Sequence, residues 1–173
     1  MRLKYFILVM FSSLFLACSP DRTPIFDFNI EADFTMPSGL FTNETHYFPI
    51  RNVPTFYGQN LANNGLTSEN VTSIVANRAS IRARFIDLDM SFIRRVSIIG
   101  YPSGNPDEQR EFFYMEFVDL NEDGVLDLFS SIAELKDIIS SEFIDLEVIL
   151  NLRTISPTVI ESRLNFSLSV FDE

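Results

Sequence analysis

One cysteine, one histidine and no tryptophan stand in the 173 residues of this chain. A lone Cys18 cannot form an internal disulfide, so stability has to come from packing. A lone His46 leaves no multi-histidine metal site and no second imidazole base. Neither a G-x-S-x-G elbow nor a phosphate-binding loop is present to supply a nucleophile or a nucleotide cradle. Catalysis is thereby narrowed to paired carboxylates, and the chain is read as non-enzymatic. The alternative is a small carbohydrate-active enzyme that draws an acid/base pair from 24 acidic residues. Without tryptophan, Tyr47, Tyr57 and Tyr101 are the aromatics left to face a sugar. Basic residues are also scarce: 13 Lys and Arg against 24 Asp and Glu give a net charge of −11. Such a surface repels nucleic acid and anionic lipid. There is no internal repeat and no low-complexity tract.

The longest apolar stretch lies at the start. Arg2 and Lys4 precede an unbroken run from Tyr5 to Phe11, Ser12 and Ser13 interrupt it, and Leu14-Phe15-Leu16-Ala17-Cys18 closes it. The layout is that of a secretory signal, too short for a membrane span and without a stop-transfer flank. The ending Leu16-Ala17-Cys18 resembles the lipobox of bacterial lipoproteins. That resemblance implies cleavage before Cys18 and acylation of its sulfur and new amine. It also implies attachment to the bacterial cell envelope through acyl chains, with Ser19 after the cysteine favouring the outer membrane. Residues 1–17 are then a signal peptide, residues 18–24 a polar, proline-bearing tether, and residues 25–173 a single domain. The mature chain has 156 residues, with 11 basic against 24 acidic side chains, or −13. That length suffices for one real core.

The domain reads as strands. Phe26, Phe28, Ile30, Ala32, Phe34 and Met36 alternate with polar residues, the period of a half-buried strand. A strand around 46–51 contains Pro49 and so belongs at an edge or a bulge. Residues 55–64 form a short helix after Pro54, with one further turn at 67–70. Strands follow around 79–85, 87–92, 96–101, 112–118 and 125–128. A short helix is expected over 131–139 with Ile132, Leu135 and Ile139 inward. The two clearest alternations, 144–152 and 164–170, are expected to pair as a long hairpin. The fold class is all-β: an antiparallel β-sandwich, immunoglobulin-like or jelly-roll, with one or two short helices.

Two patterns carry chemistry. Residues 119–127 fit D-x-N-x-D-G-x-x-D, which resembles the calcium loop of EF-hands and dockerins. The resemblance implies oxygen ligands from Asp119, Asn121, Asp123, the Val125 carbonyl and Asp127, with Gly124 at the sharp turn. It departs at the twelfth position, where Ser130 replaces the bidentate glutamate. An acidic hairpin turn explains the same residues without a metal. The second pattern is Arg78, Arg82, Arg84, Arg94 and Arg95, read either as an anion-gripping patch or as ordinary cross-strand pairing. The partners expected are the membrane, through the acyl chains, and an envelope protein or glycan.

Overall fold

The computed structural model describes residues 23–120 and 124–172, and eight antiparallel strands account for most of them. They are β1 (Phe26–Met36), β2 (Thr45–Pro54), β3 (Ser73–Ala83), β4 (Ile93–Pro102), β5 (Arg110–Met115), β6 (Val125–Ser130), β7 (Phe143–Leu152) and β8 (Ile160–Phe171). Their hydrogen-bonded order is β1-β8-β3-β6-β5-β4-β7-β2. The pairings β1·β8, β2·β7, β3·β6 and β4·β5 are those of one long hairpin rolled up on itself, which is a jelly roll and not an immunoglobulin arrangement. Two four-stranded sheets result. They are joined by hydrogen bonding at the short β5·β6 contact, Phe113 opposite Ser130 and Tyr114 opposite Phe129. At the other margin β1 lies against β2, with the rings of Phe34 and Phe48 5.8 Å apart.

Period-two patterning places one face of each sheet in a common core. Along β1, Phe28, Ile30, Ala32, Phe34 and Met36 are buried while their neighbours face water. Between the sheets, Phe166 of β8 meets Phe112 edge-on at 6.3 Å and Phe113 at 5.7 Å. Two successive residues of one strand normally point to opposite faces. A β-bulge between Ile98 and Ile99 adds a residue to the β5 side and lets both phenylalanines reach the core. Gly100 makes room for Phe112: a Cβ there would lie 2.6 Å from its ring.

Three sequence expectations are corrected. First, 144–152 and 164–170 do not form a hairpin. β7 pairs with β2 and β4, β8 with β1 and β3, so each has two other partners and residues 153–159 cross from one sheet to the other. Second, 87–92 is not a strand. Met90 and Phe92 are buried from a loop, and Phe85, expected inward, is exposed. Third, the helix at 131–139 shrinks to α2 (Lys136–Ile139), and Ile132 is fully exposed. Its start is used differently: Glu134 accepts hydrogen bonds from the Ile74 N–H and the Ser73 hydroxyl, which holds 131–135 extended against β3. Helix α1 (Tyr57–Asn63) and the 3-10 turn Ser68–Asn70, with a Thr67/Asn70 capping box, match expectation. Pro49 lies on the margin strand β2, which also carries a bulge between Ile50 and Val53.

Gly100→Ala is expected to lower stability by about 1–3 kcal/mol, because the Phe112 ring must leave its place in a closed core. A denaturant midpoint unchanged from the parent would show that the ring has room to move.

Candidate functional site

The rolled hairpin gives the sandwich two different ends. Strands β1, β3, β5 and β7 start at one end, where the domain begins, and finish at the other. The far end therefore collects the connections β1–β2 (37–44), β3–β4 (84–92), β5–β6 (116–124) and β7–β8 (153–159). Each exposes large apolar side chains: Phe41; Phe85 and Ile86; Phe117 and Leu120; Ile155 and Val159. Phe117 and Phe85 are 77% and 71% exposed, although a free ring would bury itself if the loop allowed.

Two side chains in the β7–β8 connection fasten these loops to one another, and the Arg84 guanidinium lies over the Phe85 ring, 4.8 Å from its centroid. Arg153, half-buried, donates from Nη1 to the Ser91 carbonyl at 2.5 Å and from Nη2 to the Val118 carbonyl at 2.7 Å. Its backbone N–H donates to the Phe92 carbonyl. One residue thus joins three of the four connections. Ser156, buried, joins the fourth: its hydroxyl donates to the Pro37 carbonyl and accepts from the Leu40 N–H. Beside them, the Nε2 of His46 lies 2.7 Å from the Phe41 carbonyl, which ties the start of β2 to the β1–β2 connection. Neither Arg153 nor Ser156 stood out in the sequence. Their only signal is a polar residue just after the last core position of β7, and a serine before Pro157.

Of the calcium pattern, Asp119 and Gly124 fall in the same end. Asn121 and Asp123 lie outside the described residues. Asp119 accepts a hydrogen bond from the Leu120 N–H. Val125 opens β6 opposite Arg82, and Asp127 faces outward opposite Ser80, with Arg78 and Arg82 two positions to either side on β3. Gly124 has φ +73°, and the Asp87 Oδ1 would lie 3.0 Å from a Cβ there. Asp87, which the nine-residue pattern does not contain, therefore rests on this turn. Among the described residues no three His, Cys, Asp or Glu side chains gather to hold a metal ion. The five arginines do not form one patch. Arg78, Arg82 and Arg84 lie in or just after β3, and Arg94 and Arg95 lie on β4 in the other sheet. Arg84 pairs with Asp33 and Arg95 with Glu116, each at 3.0 Å.

At the end where the domain begins lies an open hollow of about 890 Å³, mostly apolar, between α1 and the start of β7. Thr55 and Tyr57 are buried, and the Thr55 hydroxyl donates to the Ser141 carbonyl. Phe56 between them is in the left-handed region at φ 52°, which turns its ring outward. A bulky residue there carries strain of about 1–3 kcal/mol. A smaller polar hollow of about 510 Å³ on the outer face of the β1-β8-β3-β6 sheet brings together Asp27, Asn29, Arg78, Asp127 and Asn165. Of the three tyrosines singled out for sugars, Tyr57 and Tyr101 are buried and Tyr47 is exposed.

No protein-family model matches this chain, and no curated protein matches it. Among solved structures, a chain from Desmodium yellow mottle tymovirus is similar at 15% identity and a TM-score of 0.30, over 91% of this chain and 93% of that one. A likeness that low says nothing about what this protein binds.

A buried carboxylate braces the outer face of the other sheet. Asp145 accepts from the Ser103 hydroxyl at 2.6 Å, the Asn52 N–H at 2.9 Å and Arg51 Nη1 at 2.9 Å. Arg51 also bonds the Tyr101 hydroxyl, and Asn52 is in the left-handed region at φ 55°. Burial by itself raises the Asp145 carboxyl, but the bonds from Ser103, Asn52 and Arg51, with the Arg51 charge, hold it below the ordinary carboxylate range. A depressed carboxyl contributes stability that is present above its unfolded pKa and lost as pH falls through the folded one. Asp145→Asn is expected to cost about 1–3 kcal/mol at neutral pH, since half of the Arg51 side chain remains in water and screens the pair. The difference from the parent should shrink as pH falls below about 4. Urea midpoints measured at pH 7 and pH 3 check this; a gap that stays constant would assign the cost to packing alone.

Proposed function

We propose that this protein is a lipid-anchored lipoprotein of the bacterial cell envelope, a non-enzymatic module that binds a partner through the loop end of its sandwich. The observation that carries the reading is the opposition of the two ends. The domain begins at one, and at the other all four connections hold apolar side chains out from a frame tied by Arg153 and Ser156. Apolar groups clustered on a fixed frame support a protein partner, because little further ordering is required when they are covered. The scarcity of basic residues argues against nucleic acid, and the lipobox resemblance at Cys18, which lies outside the described residues, supports the anchor and an outer-membrane location.

The test is in-cell crosslinking of the full chain, after mass spectrometry of its mature N-terminus. The expected mass is that of a chain starting at Cys18 and carrying acyl groups. Phe85→Ser with Phe117→Ser should abolish the crosslinked species while leaving the melting temperature unchanged, because both rings are already in water. Crosslinking that survives the double substitution would remove the loop end from the reading, and an unmodified cysteine would remove the anchor.

A second reading concerns the turn at 119–127, and the position of Asp87 against Gly124 favours it. Asp87 and Asp119 come from different connections, and their charges, added to those of the turn itself, repel in the absence of a cation. Calcium bound there would stabilise the loop end without a catalytic part. The missing twelfth ligand sets the affinity at about 10⁻⁴–10⁻³ M, as in extracellular modules. At a hundredfold excess over that constant, linkage adds about 2.7 kcal/mol. The melting temperature should therefore rise by several degrees between chelator and saturating calcium, and Asp123→Ala should erase the rise. Identical melting curves would leave an ordinary acidic turn.

A further inference from the structure

The hollow at the end where the domain begins has the chemistry of a lipid contact. Its lining includes Pro54, Tyr57, Leu61 and Leu66, and Phe56 and Phe143 stand exposed at it. Phe56 is held out by its own backbone: its buried neighbours fix the chain on both sides, and the left-handed φ directs the ring away from the core. Ile132, fully exposed in the β6–β7 connection, belongs to the same end, as does Ile25.

Chain geometry says what lies in front of this end. Ile25 donates its N–H to the Val170 carbonyl and Thr72 its own to the Phe171 carbonyl, so the first residues of β1 and β3 flank the last residues of β8. Two strand spacings, about 10 Å, separate them. Helix α1 and the turn before β3, which line the hollow, are thus neighbours of the domain's first residues. Residues 18–24 can span at most about 25 Å fully extended. The strands, ten to twelve residues long in β1–β4, β7 and β8, run about 33–40 Å. With Cys18 in a bilayer, the end carrying Phe56 is within reach of its surface, and the loop end with Phe85 and Phe117 is carried away from it. Charge narrows the surface further. Glu69, Asp107, Glu108, Asp137 and Glu142 outnumber Lys136 and Arg110 at this end, so an anionic membrane is repelled and a zwitterionic one is not.

We propose that this end is a membrane-docking face, with Phe56 and Phe143 entering the interfacial zone of a zwitterionic phospholipid bilayer. The inference rests on the lipid anchor at Cys18. Acyl chains alone leave the domain free to tumble on its tether. Aromatic side chains placed at the headgroup boundary add buried apolar area and fix its orientation, with the loop end outward.

The absence of tryptophan makes the test clean. The full chain, matured in a bacterial host, is reconstituted into phosphatidylethanolamine/phosphatidylcholine vesicles with and without phospholipid brominated on the acyl chains. Phe56→Trp, Phe143→Trp and Phe117→Trp are compared as single emitters. Flotation with the vesicles reports the anchor separately. Bromine is expected to quench Phe56→Trp and Phe143→Trp by about twofold and to leave Phe117→Trp unquenched, as the depth of an interfacial side chain requires. Flotation without quenching at either proximal position would overturn the docking face and leave the anchor standing. Quenching strongest in Phe117→Trp would reverse the orientation, and failure to float would remove the anchor and the inference together.

Discussion

Apolar contact between two facing sheets holds this protein together, and the other features are arranged around it. Among the described residues, strand-to-strand hydrogen bonds run along each sheet and join the two where β5 meets β6, over two residue pairs. The single cysteine can add no crosslink. What keeps the sheets face to face is the burial of alternate side chains, with Phe112, Phe113 and Phe166 interlocked near that junction. Dense interiors tolerate neither gaps nor extra atoms, which is why a missing Cβ at Gly100 and a bulge at Ile98/Ile99 both occur where two adjacent phenylalanines must turn inward.

A rolled hairpin also fixes which parts of the chain meet. Residues far apart in sequence, such as Pro37 and Ser156 or Ser91, Val118 and Arg153, come together because alternate connections all fall at one end. That end is a set of loops joined by half-buried Arg153 and buried Ser156, and it exposes large apolar side chains. The opposite end has the reverse character, with a hollow, a strained phenylalanine and the beginning of the domain.

The polar side chains outside the core follow the same logic. Asp145 with Arg51, and Asp33 with Arg163 and Arg84, lie on the outer faces, where water screens the charges and the donors do most of the stabilising. The hydrogen bond from Arg163, with its charge and that of Arg84, lowers the Asp33 carboxyl against the opposing effect of burial. Of the two readings of the arginines at 78–95, the structure fits ordinary pairing: Arg84 meets Asp33 and Arg95 meets Glu116, and β3 and β4 lie in different sheets.

Strand period, helix α1, the proline-bearing margin strand and the all-β class were legible in the residues, because each rests on spacing within a few positions. Phe28 through Met36 could hardly face anywhere but a core. The pairing of β7 with β2 and β4 was not legible. Strands with equally apolar faces have no local preference among partners, and only the closure of the whole sheet selects one. Ile132 and Phe85 looked like core residues by periodicity and are exposed, because hydrogen bonding of Glu134 to β3 and the turn after Ala83 override the period. By itself the sequence determined the excess of acidic side chains and the alternation that makes strands. Tertiary structure decided which loops share an end, which aromatics remain in water and where Arg153 binds, since all of these depend on contacts between residues that the chain brings together only when it rolls up.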